Sequence, residues 1–154
     1  MNEREIRWVL LAYKIPREPT STRVYVWRKL KRLDAFALQD AVWVLPATAA
    51  TREQFQWLAA EIEELHGSAT LWEARQVLDG MDKALVEHFV GRREAEYRKI
   101  LSELKRAADL DELAKRFQRA EATDYLRSEL AGRVREALVA ARDGQPKGGR
   151  KRKS

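Results

Sequence analysis

Residues 13–33 read YKIPREPTSTRVYVWRKLKRL and connect an apolar segment to a basic one. Pro16 and Pro19 interrupt regular backbone pairing, so a strand is predicted to end here. The hydroxyl side chains at positions 20–22 can accept a hydrogen bond from a first-turn amide, which predicts the start of a helix. This helix is predicted to carry its basic side chains largely outside an apolar stripe. The predicted stripe consists of Val24, Trp27, Leu30 or Lys31, and Leu33.

The segments on either side of this stretch alternate between strand and helix patterns. Residues 8–15 predict a buried strand, and residues 35–38 and 42–45 predict a tight hairpin. Thr51 and Gln54 match a capping box for a second helix, which Gly67 is predicted to close, and residues 69–77 predict a last strand. The order is that of an α+β, ferredoxin-like βαββαβ sandwich, which we expect to occupy residues 1–78.

The second half of the chain has no strand pattern. We expect residues 79–142 to form an α-helical extension that packs on the first domain or on a partner, with a break or bend near Gly91. Asp109 and Thr123 are predicted to cap its later helices. Residues 143–154 read DGQPKGGRKRKS, lack apolar side chains, and are predicted to form a disordered basic tail.

The net charge of +6 is distributed unevenly along the chain. Residues 1–33 contain nine Lys or Arg against three acids, and the tail has five Lys or Arg and no acid. Such polarity favours an anionic partner, with nucleic acid the leading candidate. The alternative is a solvated helix face and a solubilising tail. The predicted nucleic-acid-binding residues are Arg23, Arg28, Lys29, Lys31, Arg32, Lys151 and Arg152.

Two functions without DNA binding remain open. In the first, Arg17, Arg23 and Arg28 hold chromate or another oxyanion through charge-assisted hydrogen bonds. In the second, the chain is a protein-interaction module whose last helices dock a partner. The five tryptophans could also offer a platform for base stacking, but burial in the core is the preferred interpretation for most of them.

Several function classes are disfavoured by residues that the sequence lacks. Without cysteine, thiolate metal sites and thiol catalysis are excluded, and His66 and His88 lack the spacing of a metal pair. No catalytic triad, phosphate-binding glycine loop or HExxH motif is present. We therefore expect neither an enzyme nor a bound metal or cofactor. The longest apolar run is too short to span a bilayer and the N-terminus lacks a secretion signal, which predicts a cytoplasmic protein.

The stretch from residue 10 to residue 46 contains the pattern R-V-x-x-W-R-x-L-x-x-L, followed by Q-x-x-V-x-x-L-P. These positions are Arg23, Val24, Trp27, Arg28, Leu30, Leu33, Gln39, Val42, Leu45 and Pro46. With this pattern the stretch resembles the N-terminal domain of ChrB, the chromate-resistance regulatory protein. The resemblance implies a regulatory or accessory role in chromate resistance, with DNA as partner. An open sheet edge in such a domain also predicts a homodimer.

Overall fold

The computed structural model describes residues 6–78, 80–106 and 109–144. These residues form two compact units, one that ends at Leu85 and one that begins at Val86. The elements are β1 (Arg7–Lys14), α1 (Thr20–Arg32), β2 (Phe36–Gln39), β3 (Val42–Pro46), α2 (Ala49–Glu64), β4 (Ser68–Arg75), α3 (Met81–Leu104), α4 (Leu110–Ala122) and α5 (Glu129–Asp143).

The N-terminal unit is built on a four-stranded sheet with the order β2-β3-β1-β4. Each neighbouring pair is antiparallel, and Leu11 of β1 lies opposite Trp43 of β3 and Leu71 of β4. Paired residues share a face of the sheet, so Val9 and Leu11 lie on one buried face with Leu45. The predicted α+β class and order of elements are confirmed, and the finer ferredoxin-like assignment stays a prediction.

Helices α1 and α2 supply the other apolar side chains of this core. Val26 and Leu30 of α1 are buried at a spacing of four residues, and Phe55, Leu58 and Ile62 of α2 are buried at spacings of three and four. The predicted stripe on α1 was wrong in its register, because Val24 is 39% exposed and Trp27 50% exposed. Residues 24–27 are all apolar, so the sequence pattern does not decide which side of α1 faces the core.

The tryptophans also differ from the expectation that most of them are buried. Trp8 and Trp43 are buried, whereas Trp27, Trp57 and Trp72 are at least half exposed. The core interpretation was therefore wrong for three of the five. Helical or strand periodicity around a tryptophan identifies an element but leaves open which of its faces meets the core.

The helix starts in this unit were predicted at the wrong residues. Helix α1 begins after Pro19 without a side-chain capping bond, so the predicted hydroxyl cap is not formed. Helix α2 begins three residues earlier than predicted, with a capping box between Thr48 and Thr51 in place of Thr51 and Gln54. The Thr48 hydroxyl accepts from the Thr51 amide at 3.0 Å, and the Thr51 hydroxyl accepts from the Thr48 amide at 2.8 Å.

The end of α2 is held by a Schellman motif. The His66 amide donates to the Glu63 carbonyl at 3.0 Å, and the Gly67 amide donates to the Ile62 carbonyl at 2.9 Å. His66 has the positive φ of this motif, at 67°. Gly67 is needed for a different reason, because a Cβ there would lie 2.4 Å from the Lys14 carbonyl oxygen.

We expect Thr51→Val to lower the free energy of unfolding by about 1–3 kcal/mol, measured by urea unfolding. The Thr51 hydroxyl is fully buried and donates to the Pro46 carbonyl at 2.6 Å, so the isosteric change leaves buried polar groups without this partner. Thr22→Val is the matched control. Thr22 has the equivalent position in α1, but its N-cap is Pro19, which has no amide to donate. An equal loss in both variants would contradict the capping explanation.

The C-terminal unit is a helical core formed by the later part of α3 with α4 and α5. The bounds of α4 and the cap of Asp109, which accepts from the Asp111 amide at 3.0 Å, are confirmed. Of the break or bend predicted near Gly91, the break is absent, because α3 runs through this residue. The last helix begins later than predicted, because Ser128 and not Thr123 is its N-cap. The buried core residues are Tyr97, Ile100, Leu113, Phe117, Ala120, Ala131 and Val134.

Asp124 organises the turn between α4 and α5. It is buried, accepts a hydrogen bond from the Tyr97 hydroxyl at 2.8 Å, and accepts from the Ser128 amide at 3.1 Å. Burial, followed by the hydrogen bond to Asp124, raises the pKa of Tyr97. This side chain therefore stays protonated and donating above the pH at which an ordinary tyrosine ionises.

We expect Tyr97→Phe to lower the free energy of unfolding by about 1–3 kcal/mol at neutral pH, because it removes a partner from a buried carboxylate. A raised pKa stabilises the fold below the ordinary tyrosine value and loses this contribution as pH rises above it. The difference between the two proteins should therefore shrink above about pH 10. Urea unfolding of both proteins, at neutral pH and above about pH 10, measures this difference in the free energy of unfolding.

Tyr25→Phe is the control for this experiment. The Tyr25 hydroxyl also donates to a carboxylate, that of Glu61 at 2.8 Å, but this bond is exposed. Its loss should cost less than about 0.5 kcal/mol. A comparable cost in both variants would show that burial of Asp124 is not the reason.

The part of the chain that the structure describes contains no helix that is long and apolar enough to cross a membrane. The predicted tail lies almost entirely outside these residues, although Asp143 ends α5 and Gly144 caps it.

Candidate functional site

An open groove of about 920 Å³ lies in the N-terminal unit, beside the end of β1, helix α1 and the β2–β3 hairpin. Four cationic side chains, three aromatic side chains and one carboxylate line it. The lining residues are Tyr13, Lys14, Ile15, Arg17, Thr20, Arg23, Val24, Trp27, Lys31, Ala37, Gln39, Asp40, Ala41 and Trp43.

The local sequence explains how these three segments meet. Strand β1 ends at Lys14, and the two prolines of the following turn lead the chain into α1. In that helix Arg23, Trp27 and Lys31 recur at four-residue spacing, which places them on one face. The hairpin turn approaches from the other side, where the Tyr13 amide donates to the Ala41 carbonyl at 3.0 Å.

The aromatic side chains hold one of the cations in the groove. The Lys31 Nζ lies 5.5 Å from the centre of the Trp27 ring and 5.8 Å from that of the Trp43 ring. Attraction between an ammonium group and the face of an indole ring favours this position. Lys31 therefore lies close to one buried indole ring, that of Trp43, and to one half-exposed ring, that of Trp27.

Tyr13 adds a hydroxyl group to the groove. Burial raises the pKa of Tyr13 and the Asp40 carboxylate adds to this effect, while a hydrogen bond with Trp43 and the charge of Arg23 oppose it. The net shift is upward, so the phenol is neutral at physiological pH. It can therefore donate a hydrogen bond to an anion beside Arg23.

The predicted site residues separate into groups. Arg17, Arg23 and Lys31 line the groove, whereas Arg28 and Arg32 are exposed on α1 outside the lining set. Lys29 lies towards α2, where its Nζ is 3.8 Å from the Glu61 carboxylate. The structure thus brings two of the three predicted oxyanion ligands together and leaves Arg28 elsewhere. Lys151 and Arg152 lie outside the described residues.

Sequence reasoning missed several groove residues. Lys14 was predicted only as part of the strand at residues 8–15 and Asp40 only as part of the hairpin, and Gln39 was named for the hairpin and the family pattern but not for a site. Their role in the groove depends on how the hairpin folds back toward β1, which is a long-range contact. The sequence feature that could have indicated them is the pair of polar residues, Gln39 and Asp40, that follows the basic helix.

No cluster of three or more His, Asp or Glu side chains that could hold a metal ion occurs within residues 6–78, 80–106 and 109–144. The groove itself offers a single carboxylate among its described lining residues. Its chemistry is that of charge-assisted hydrogen bonds to an anion, with aromatic surface beside it.

Comparisons with known proteins agree with the resemblance noted in the sequence. Residues 23–131 match the family model described as "Protein ChrB, N-terminal". Protein ChrB of Cupriavidus metallidurans (strain CH34) is 35% identical over 57 residues, which cover 37% of this chain and 18% of that protein. The match thus spans less than a fifth of that relative's length. No solved structure matches the chain. Because the family model covers well over half of its residues, the chain belongs to the ChrB N-terminal family.

Proposed function

We propose that this chain is a non-enzymatic regulatory or accessory protein of chromate resistance that binds DNA in the cytoplasm. The observation that carries the proposal is the groove beside α1, where Lys14, Arg17, Arg23 and Lys31 face a single carboxylate, Asp40. Membership of the ChrB N-terminal family supports the link to chromate resistance. The basic tail would add phosphate contacts of low specificity.

Charge and spacing favour the phosphate backbone as the ligand of this surface. Lysine and arginine side chains that neutralise phosphates release condensed counterions, which stabilises the complex and makes it sensitive to salt. Arg23 and Lys31 are eight residues apart, which is about 12 Å along a helix. This distance exceeds the roughly 3.4 Å axial rise between nucleotides of one strand, so the two side chains would reach different phosphates.

We expect the double variant Arg23→Ala, Lys31→Ala to bind DNA more weakly and with less salt dependence. The slope of log K against log salt should fall by about two, because each phosphate contact contributes about 0.9. Fluorescence anisotropy with a labelled duplex across a salt series measures it.

The comparison variant is Arg28→Ala, Lys29→Ala, which removes the same charge from outside the groove. We expect a smaller change in slope, since Lys29 is already beside the Glu61 carboxylate. An equal or larger change in this variant would assign DNA to the outward face of α1. Unchanged binding in both would refute DNA binding through this helix.

A small oxyanion is the second candidate ligand, because Arg17, Arg23 and the Tyr13 hydroxyl line the same groove. Guanidinium groups and a phenol could donate charge-assisted hydrogen bonds to the oxygens of chromate. In this alternative the chain senses an oxyanion and does not bind DNA.

Titration calorimetry with chromate, with sulfate as the reference anion, tests the second candidate. If chromate binds in the groove, Arg17→Ala should weaken binding at least about tenfold, while Arg28→Ala should change it less than about twofold. Equal heats from chromate and sulfate would exclude a chromate-specific site.

Two finer structural assignments belong to the same proposal. The ferredoxin-like assignment is supported by the order βαββαβ and by a sheet in which β1 and β3 are the central strands. The predicted homodimer would use the edge strand β4, whose eight residues pair within the described sheet with β1 alone. A charged pair, Glu73 and Arg75, lies near the end of this strand.

A further inference from the structure

We infer that the groove accommodates an unpaired nucleotide, with its base stacked on Trp27 and its phosphates held by Arg23 and Lys31. The inference rests on the proposed DNA binding and specifies its form, which is single-stranded or locally unpaired DNA rather than an intact duplex.

The exposure of Trp27 is the first argument. Half of the surface of Trp27 is exposed, and Arg23 and Lys31 lie on the same face of α1. In a duplex the faces of the bases are covered by their neighbours in the stack, so a duplex offers phosphates and base edges to such a helix. Only an unpaired base can cover the ring of Trp27 with a ring of its own.

The arrangement of cations around this ring is the second argument. Lys31 lies within 6 Å of the ring centres of both Trp27 and Trp43, and Arg23 lies one turn before Trp27 on α1. A base stacked on the face of Trp27 that Lys31 does not cover would therefore have its own phosphates near the charges of Arg23 and Lys31. This combination of a basic groove and an aromatic platform is typical of proteins that bind single strands.

The hairpin turn supplies the third argument. Asp40 is a carboxylate in a groove with four cations, where it would repel a phosphate. It can instead accept a hydrogen bond from the amino group of a base, as acidic side chains do with cytosine. Gln39 beside it can both donate and accept. Base edges, which are polar and uncharged, suit this part of the groove better than phosphates do.

The experiment compares one short oligonucleotide as a single strand and as its duplex, at one fixed salt concentration, by fluorescence anisotropy. We expect the 154-residue chain to bind the single strand more tightly. Trp27→Ala should weaken single-strand binding roughly tenfold and leave duplex binding unchanged, while Trp27→Phe should retain most of the affinity.

Trp57→Ala is the matched control, because Trp57 is also a helical tryptophan, is 62% exposed and does not line the groove. We expect it to change neither affinity, and thermal unfolding should show that both alanine variants are folded. An equal loss in Trp27→Ala and Trp57→Ala would overturn the assignment of stacking to the groove.

The remaining outcomes separate this inference from the proposed function. If the duplex binds at least as tightly as the single strand and depends on Arg23 and Lys31, DNA binding stands and the inference is wrong. If neither form binds, the proposed function fails and the inference fails with it. An equal effect of Trp27→Ala on both forms would also refute base stacking.

Discussion

Strand β1 lies between β3 and β4 and pairs with both, so its register constrains every other element of the N-terminal unit. Its inward side chains, Val9 and Leu11, are almost completely buried, and each contributes about 1.5–3 kcal/mol relative to exposure. A shift of one residue would move both to the opposite face of the sheet. The same register places Tyr13 and Lys14, at the end of the strand, in the groove.

The rotation of α1 is the second determinant of the site. Val26 and Leu30 anchor the helix in the core, and this choice turns Arg23, Trp27 and Lys31 toward the groove. Successive helical residues differ by about 100°, so Trp27 cannot be buried in the same direction as Val26. Trp27 is therefore half exposed because the neighbouring Val26 packs in the core. Burial in the core and the chemistry of the groove are two results of one helix orientation.

The order of the elements could be predicted because it depends on local patterns of apolar residues, prolines and capping residues. Asp109 and the bounds of α4 follow from such a pattern, with no contribution from distant residues. The face of α1 and the exposure of three tryptophans could not be predicted in this way, because they depend on which surfaces meet. The cap at Thr48 is a local pattern that was assigned to the wrong threonine. The groove combines a strand end, a helix face and a hairpin turn. The basic helix was identified from the sequence as a candidate site. The end of β1 and the hairpin turn join it only in the folded structure.

Gly67 restricts how far one side of the groove can change. The glycine lies so close to the Lys14 carbonyl that any side chain would force the two backbones apart, and Lys14 lines the groove. One wall of the site is thus tied to the sheet and tolerates little change. The hairpin side of the groove includes Asp40, which lies in the turn between β2 and β3. A surface turn tolerates substitution more readily than a close contact between two backbones does. Exchange of Asp40 would therefore change the charge of the groove while Gly67 keeps the end of β1 in place.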